Sequence, residues 1–386
     1  MAKQVLIVAT VGRFLNFEKN SIELLKAKGY EVHCAANWCL DEMDAVPQLQ
    51  VVRHQIDFAR SPLSGTNITA YRQLKALADA ERFAFVHCHT PVGGVLTRLA
   101  MRRKQKAGTR ILYTAHGFHF FKGAPLKNWL IFYPVEWLCA WWTDVLITIN
   151  TEDYAFAKRH FHAKKIEYVP GVGIDLEKFA PSLDAAKKKR AELGVTEDEV
   201  MLLSVGELSE RKNQELVIDA LKELNLPCIR YFICGEGAFA ERVALKIREY
   251  HMESQVTLLG HREDVAALCQ AADLFVFPSV QEGLPVALME AIAGKVPVLC
   301  SAIRGNRDLI IDKSCMFQAR NVSQLVKCLQ KKMGIAKVKV PDGGRIRSTL
   351  KKRTEQSVES AYRRLHSFRQ ERVLERMKRI YESVEK

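Results

Sequence analysis

Tyr168-Val-Pro-Gly-Val-Gly-Ile-Asp175 is the stretch on which the fold turns. Pro170, Gly171 and Gly173 crowd together there and break any strand or helix, so the segment reads as a linker or hinge. Before it, short apolar runs at 5–10, 31–36, 51–56, 85–89, 110–115 and 145–150 alternate with stretches of helical spacing, the first over 16–28. After it, beyond a charged stretch through 187–190, a second series runs at 200–206, 231–234, 255–259, 274–278 and 296–301. Continuous apolar strands separated by helices mark parallel βαβ units covered on both faces. The predicted class is therefore α/β, with two doubly wound Rossmann-like domains meeting near residue 170. A last stripe of Val373, Leu374, Met377, Ile380, Tyr381 and Val384 stands at helical spacing and needs a surface to bury against. It is expected to return to the first domain. Residues 334–352 are rich in Gly, Lys and Arg, show little periodicity, and are left unplaced.

Composition sets the outer limits. At 386 residues the chain suits two domains, and 48% hydrophobic with 26% charged residues is the balance of a globular protein. The net charge of +14 is uneven: 327–386 hold 18 Lys/Arg against 7 Asp/Glu, leaving the body near neutrality. Such a tail suits an anionic lipid surface or a nucleic acid, and equally a solvated helix face. Ten cysteines stand without a C-x-x-C pair or a Cys/His cluster at zinc spacing, so they are expected as reduced thiols in the cytosol. The N-terminus, with Met1-Ala-Lys-Gln running into Val5, has no cleavable signal pattern. The most apolar stretch, 129–149 with Trp137, Trp141 and Trp142, is interrupted by Glu136 and Asp144 and ends as a strand. It is read as a core helix rather than a membrane span, with a membrane-interface role as the alternative.

Ligands of doubly wound sheets bind beyond the carboxyl ends of the strands. Gly12, after the first strand, would let a backbone approach a phosphate, although one glycine there often only makes a turn. Gly235-Glu-Gly237 is equally short of G-x-G-x-x-G, so no nicotinamide cofactor is expected. Phe277-Pro-Ser-Val-Gln-Glu-Gly-Leu-Pro-Val-Ala-Leu-Met-Glu290 carries more. A strand ends, a Gly/Pro turn follows and a helix starts near Pro285, with Glu282 in the turn and Glu290 in the helix. Carboxylates accept from ribose or sugar hydroxyls, and free N–H groups at a helix start face a diphosphate. A solvated turn with a surface glutamate is the plainer alternative. Ser204-Val-Gly-Glu-Leu-Ser-Glu-Arg-Lys212 adds Arg211 and Lys212, cations able to neutralise phosphate, or simply an exposed basic loop.

Together the Glu282-x7-Glu290 motif, the Gly206–Lys212 loop and Val169–Asp175 resemble family 4 retaining glycosyltransferases of the two-domain GT-B fold. Phe58-Ala-Arg-Ser-Pro62, His87-Cys-His-Thr-Pro91 and Thr114-Ala-His-Gly-Phe-His-Phe-Phe-Lys-Gly123 narrow the resemblance to bacterial exopolysaccharide and capsule enzymes. It spans about 4–330 and resumes near the last helix. The resemblance implies an acceptor-binding domain over 1–170, a nucleotide-sugar-binding domain over 171–370 facing it across a cleft, and a helix over 371–386 that crosses back. It implies a UDP-sugar donor and no permanently bound cofactor or metal, and no D-x-D stands at a strand end to hold one. Glu290 matches the glutamate holding the ribose, Glu282 the one near the donor sugar or its phosphates, and Lys212 the diphosphate cation. Gly283 and Leu284 would offer backbone N–H groups, and His261-Arg262 would lie by the base. His116 matches the histidine facing the donor sugar, with a core histidine as the alternative. Arg60, His119 and Lys122 are candidates for acceptor contacts. Where the family often has Arg after the glycine, this chain has Glu207, which places a carboxylate near the expected phosphates. The acceptor is expected to be polyprenyl-diphosphate-linked, which implies a peripheral place on the cytoplasmic face of the plasma membrane. A UDP-sugar 2-epimerase of the same fold, a basic nucleic-acid-binding protein and a catalytically dead scaffold are the alternatives. No RNA-binding signature or zinc finger supports a nucleic-acid partner.

Overall fold

In the first strand, β1 (Gln4–Val11), alternate residues enter opposite cores. Leu6 and Val8 pack on one face of the sheet, while Val5, Ile7 and Ala9 pack on the other. A strand apolar on both faces is stable only inside a sheet covered twice, and this sets the architecture. The computed structural model describes residues 3–40, 50–335 and 342–385. Two units result, Met1–Gly173 with Gln370–Lys386 and Ile174–Arg369.

The first unit runs β1, α1 (Lys19–Ala27), β2 (Glu31–Asn37), β3 (Val52–Gln55), α2 (Thr66–Ala80), β4 (Phe83–His89), α3 (Pro91–Lys106), β5 (Arg110–Ala115), α4 (Leu126–Ala140), β6 (Val145–Thr148), α5 (Thr151–His160) and β7 (Lys165–Tyr168). Its seven strands lie in the order 3-2-1-4-5-6-7, all parallel. The second unit runs α6 (Leu183–Glu192), β8 (Val200–Val205), α7 (Glu215–Leu224), β9 (Ile229–Cys234), α8 (Ala240–Glu249), β10 (Val256–Gly260), α9 (Val265–Ala271), β11 (Leu274–Phe277), α10 (Val286–Ala293), β12 (Val298–Ser301), α11 (Asn306–Leu309), β13 (Met316–Phe317), α12 (Val322–Met333) and α13 (Gly343–Leu365). Its order is 10-9-8-11-12-13, again parallel. Each sheet reverses its winding once, between β1 and β4 and between β8 and β11, and these switch points are where crevices open at strand ends.

The last helix, α14 (Gln370–Glu385), belongs to the first unit. Val373, Met377, Ile380 and Tyr381 bury against Val5, Ile7 and Leu25, and Lys28 pairs with Glu382 at 3.0 Å. Three expectations need correction. The helix expected over 16–28 begins only at Lys19, because Gly12–Glu18 winds as a tighter 3-10 spiral, frequent at helix starts. The unplaced stretch contains the start of α13, whose Ile346, Leu350, Thr354, Ala361 and Leu365 are buried at helical intervals; 336–341 lie outside the described residues. The tryptophan-rich helix, α4, is not a core helix. Only Glu136, Cys139 and Ala140 are buried, while Leu126, Leu130 and Trp141 are 73%, 68% and 53% exposed. Glu136 turns inward because Arg98 lies 2.8 Å away and Tyr113 donates to it at 3.0 Å, so the charge fixes which face is covered. No helix among the described residues is long and apolar enough to cross a membrane.

Candidate functional site

At the switch point of the second unit, the loop after β8 meets the loop after β11. Val280 N–H donates to the Arg211 carbonyl at 2.8 Å, which joins the two loops through their backbones. Their side chains then converge on Glu282. Lys212 Nζ donates to Glu282 Oε1 at 2.7 Å and Arg211 Nη1 to the same oxygen at 3.0 Å. Arg304, from the loop after β12, donates to the Glu282 carbonyl at 3.2 Å. Lys212 also lies 4.8 Å over the Phe277 ring. Burial lowers its pKa, against the opposing pull of Glu282, so part of its hydration has been exchanged for that carboxylate. Pro285 precedes the first turn of α10, where Gly283 and Leu284 form the approach. Glu290 sits in that helix, and burial raises its pKa although Lys178 opposes the rise.

Glu207 is exposed, and its carboxylate stands 3.8 Å from Arg211, the guanidinium that also holds Glu282. One cation thus bridges both acids. Arg262 binds Asp264 at 2.7 Å and Glu192 at 2.8 Å, which raise its pKa, and the neighbouring His261 N–H donates to the Glu236 carboxylate at 3.3 Å. Sequence reasoning missed Arg304 and Ser279. Arg304 is 4% exposed, and the Ser279 hydroxyl is buried without a partner, an orphan expected to be satisfied by a ligand or a water. Gly305 beside a strand end is the one signal that could have pointed to this loop.

The first unit carries a separate polar cluster at its own switch point. Thr10 and Thr90 hydroxyls lie 2.7 Å apart, and Gly93 N–H donates to Thr10 Oγ1 at 3.1 Å. Thr90 has φ 63°, costly for a β-branched residue and concentrated at functional sites. Beside it, His89 Nδ1 lies 3.1 Å from His116 Nε2 and 3.4 Å from Glu18 Oε1. His87 bonds Thr114 at 2.8 Å and Tyr381 at 3.0 Å. Burial pushes Glu18 up to about 7, and lowers His87 to about 3 and His116 to about 4. Among the described residues Glu18, His89 and His116 form the group whose ligand atoms, all within 4.8 Å of one another, could hold a metal ion. A cavity of about 30 Å³, the size of one water, is lined by Glu18, Ser21, His87, Thr114 and His116.

Gly12 is buried where the 3-10 spiral starts, and a Cβ there would stand 2.6 Å from the Trp38 ring, so its bareness serves packing against that indole. Of the acceptor candidates, Arg60 is exposed, and His119 rests on Phe132 at 4.7 Å. Lys122 lines a hollow of about 560 Å³ with Phe120, Trp129, Phe156 and Arg159.

Two doubly wound units, the second carrying paired carboxylates and cations at its switch point, define the class of two-domain GT-B glycosyltransferases. The chain belongs to glycosyltransferase family 4. The family model described as Glycosyltransferase Family 4 matches 19–178, and that described as Glycosyl transferases group 1 matches 185–333. The chain is 40% identical over 319 residues to the putative glycosyltransferase EpsD of Bacillus subtilis, covering 81% of this chain and 82% of that one. It is 32% identical over 258 residues to UDP-Gal:alpha-D-GlcNAc-diphosphoundecaprenol alpha-1,3-galactosyltransferase of Escherichia coli, covering 63% and 66%. Sucrose-phosphate synthase of Thermosynechococcus elongatus shares the fold, with TM-score 0.77 at 19% identity over 99% of each chain. This protein is therefore a glycosyltransferase.

Proposed function

We propose that the chain transfers a sugar from a UDP-sugar, with retention of anomeric configuration, to a glycan acceptor linked through diphosphate to a polyprenol, in bacterial exopolysaccharide or capsule synthesis. The observation that carries this reading is the Lys212–Glu282–Arg211 cluster at the start of α10, with Glu290 eight residues on. A diphosphate arriving there competes with Glu282 for the two cations, each charge-assisted bond being worth about 1.5–3 kcal/mol. Glu282, released from them, is free to accept from a donor-sugar hydroxyl, while Glu290 accepts from the ribose. The fixed cations and the N–H groups before α10 stabilise charge on the leaving diphosphate, so no step calls for a resident metal. The leaving phosphate takes the proton of the acceptor hydroxyl on the same face, and His116 contacts the sugar from the first unit. The Escherichia coli relative, named as a UDP-Gal:alpha-D-GlcNAc-diphosphoundecaprenol galactosyltransferase, supports both substrate classes.

The acceptor's lipid places the enzyme on the inner face of the membrane. The exposed apolar face of α4 supports this, with Arg102, in the basic last turns of α3, 5.7 Å over the Trp142 ring just past the end of α4. Aromatic and aliphatic side chains beside cations suit an anionic lipid surface. The test is calorimetry with UDP-, GDP-, ADP- and TDP-sugars. Selective UDP-sugar binding, weakened tenfold or more by Glu290→Ala, is expected; equal affinity in that variant would sink the site assignment.

A further inference from the structure

His89 is fully buried, and its two ring nitrogens have unequal surroundings. Nδ1 faces His116 Nε2 at 3.1 Å and Glu18 Oε1 at 3.4 Å, whereas Nε2 has no partner. Burial holds the His89 and His116 imidazoles neutral at pH 7, so each carries one proton. Placed on Nε2 of His89, the proton would be a buried donor without an acceptor. At pH 8, above the value of about 7 to which burial raises Glu18, the Nδ1 lone pair would then face a carboxylate. Placed on Nδ1, it meets two acceptors and leaves only a bare lone pair at Nε2. Stranding a buried donor is the costlier arrangement.

We infer that His89 donates its Nδ1 proton to His116 Nε2 and thereby holds His116 in the Nδ1–H tautomer, which makes His89 the positioning residue for His116. His116 is half-buried, and its Nδ1 has no partner among the described residues. With the Nε2 lone pair occupied, the ring can offer a partner only an N–H donor. Resting on the reading that His116 contacts the donor sugar, this gives it the task of donating to a sugar hydroxyl rather than abstracting a proton. Free neutral histidine prefers the opposite tautomer, so the preference must come from the residue at 89. No motif displays this, since 89 ends β4 and 116 follows β5.

The test reads the tautomer directly. The full chain labelled with ¹³C,¹⁵N-histidine is observed at pH 8, and the His116 and His89 signals are identified by their loss in H116Q and H89N. Side-chain ¹⁵N and ¹³Cδ2 shifts of the Nδ1–H form are expected for both residues in the wild type. His116 should revert to mainly Nε2–H in His89→Ala. It should stay Nδ1–H in His89→Asn, whose amide puts a donor where Nδ1 stood. An Nε2–H His116 in the wild type, an unchanged tautomer in His89→Ala, or two rings without either proton, as in metal coordination, overturns the inference. If the variants fold poorly, the wild-type spectrum decides alone. Failure of the donor-sugar reading shows separately, as unchanged UDP-sugar affinity and transfer in His116→Ala.

Discussion

Gly235 follows β9 with φ 142°, and a Cβ built on it would lie 2.1 Å from the Gly206 carbonyl oxygen. Gly235→Ala is therefore expected to cost at least about 2 kcal/mol and to displace the Gly206–Lys212 loop, read as a lowered melting temperature with weakened UDP binding. The polar cluster of the first unit sets a pH dependence with two opposing signs. The lowered pKa values of His87, His89 and His116 mean that unfolded imidazoles bind protons below about 6.5 that the folded ones refuse, so stability falls as pH drops from 7 to 5. Glu18, raised to about 7, does the reverse: folded it holds a proton that the unfolded carboxyl releases above about 4.5, so its contribution grows on acidification and is lost as pH rises through 7. Each contribution is on the order of 1–2 kcal/mol over this range, and three imidazoles outweigh one carboxyl. Urea unfolding at pH 7 and pH 5 should show wild-type stability declining, and declining more steeply in Glu18→Gln. A shallower decline in that variant would place the Glu18 proton elsewhere. Glu282, Glu290, Lys212 and His116 could be put forward as candidates from the sequence because each belongs to a short contiguous run that begins at a strand end. Glu18, His89 and Arg304 were not, since their partners lie 71, 27 and 22 positions away.

At the scale of elements, the apolar spacing of α14 was readable, but the exposure of α4 was not. Both sequences are rich in large apolar side chains. In α14 these fall on one stripe, whereas in α4 they surround the helix, and the face turned inward is the one that carries the Arg98–Glu136 pair together with Trp129, Phe132 and Tyr133. Exposed side chains contribute little to folding, so Leu130→Glu with Trp141→Glu should leave the melting temperature within a few degrees while reducing affinity for phosphatidylglycerol vesicles tenfold or more, measured by flotation. Vesicle binding unchanged by the pair would remove α4 from the membrane reading. The basic C-terminal segment resolves into two helices whose cations are outward: Lys351, Lys352 and Arg353 on α13, and Arg372, Arg376, Lys378 and Arg379 on α14, are exposed over buried apolar stripes. Arg347, bound to Asp273 at 2.9 Å, and Arg364, which donates to the Asp308 carbonyl, turn inward, and Lys332 at the end of α12 is buried.

The whole chain is threaded so that the first unit is completed by the last residues. Tyr381, fully buried, bonds His87 and stacks on Phe85 at 5.3 Å, so α14 is part of that core. Deletion of 370–386 should therefore unfold or strongly destabilise the first unit, the loss of three or four buried side chains costing several kcal/mol, and leave the second unit folded. All five tryptophans lie in the first unit, at 38, 129, 137, 141 and 142, so their fluorescence reports that unit alone. A truncated chain with native tryptophan emission and an unchanged transition would contradict this account. The same dependence rules out tail deletion as a test of lipid binding, because it removes core along with charge.

The sequence by itself determined the two parallel α/β units, the break near 170 and the run from Glu282 to Glu290, because these rest on local periodicity, turn residues and contiguous spacing. Only the tertiary structure decided which face of α4 stays bare, that Lys212 and Arg211 share Glu282, and that Glu18, His89 and His116 meet. Parallel strands place consecutive carboxyl ends side by side only after a helix has crossed between them. Residues far apart in the chain become neighbours there, and no local pattern records the pairing.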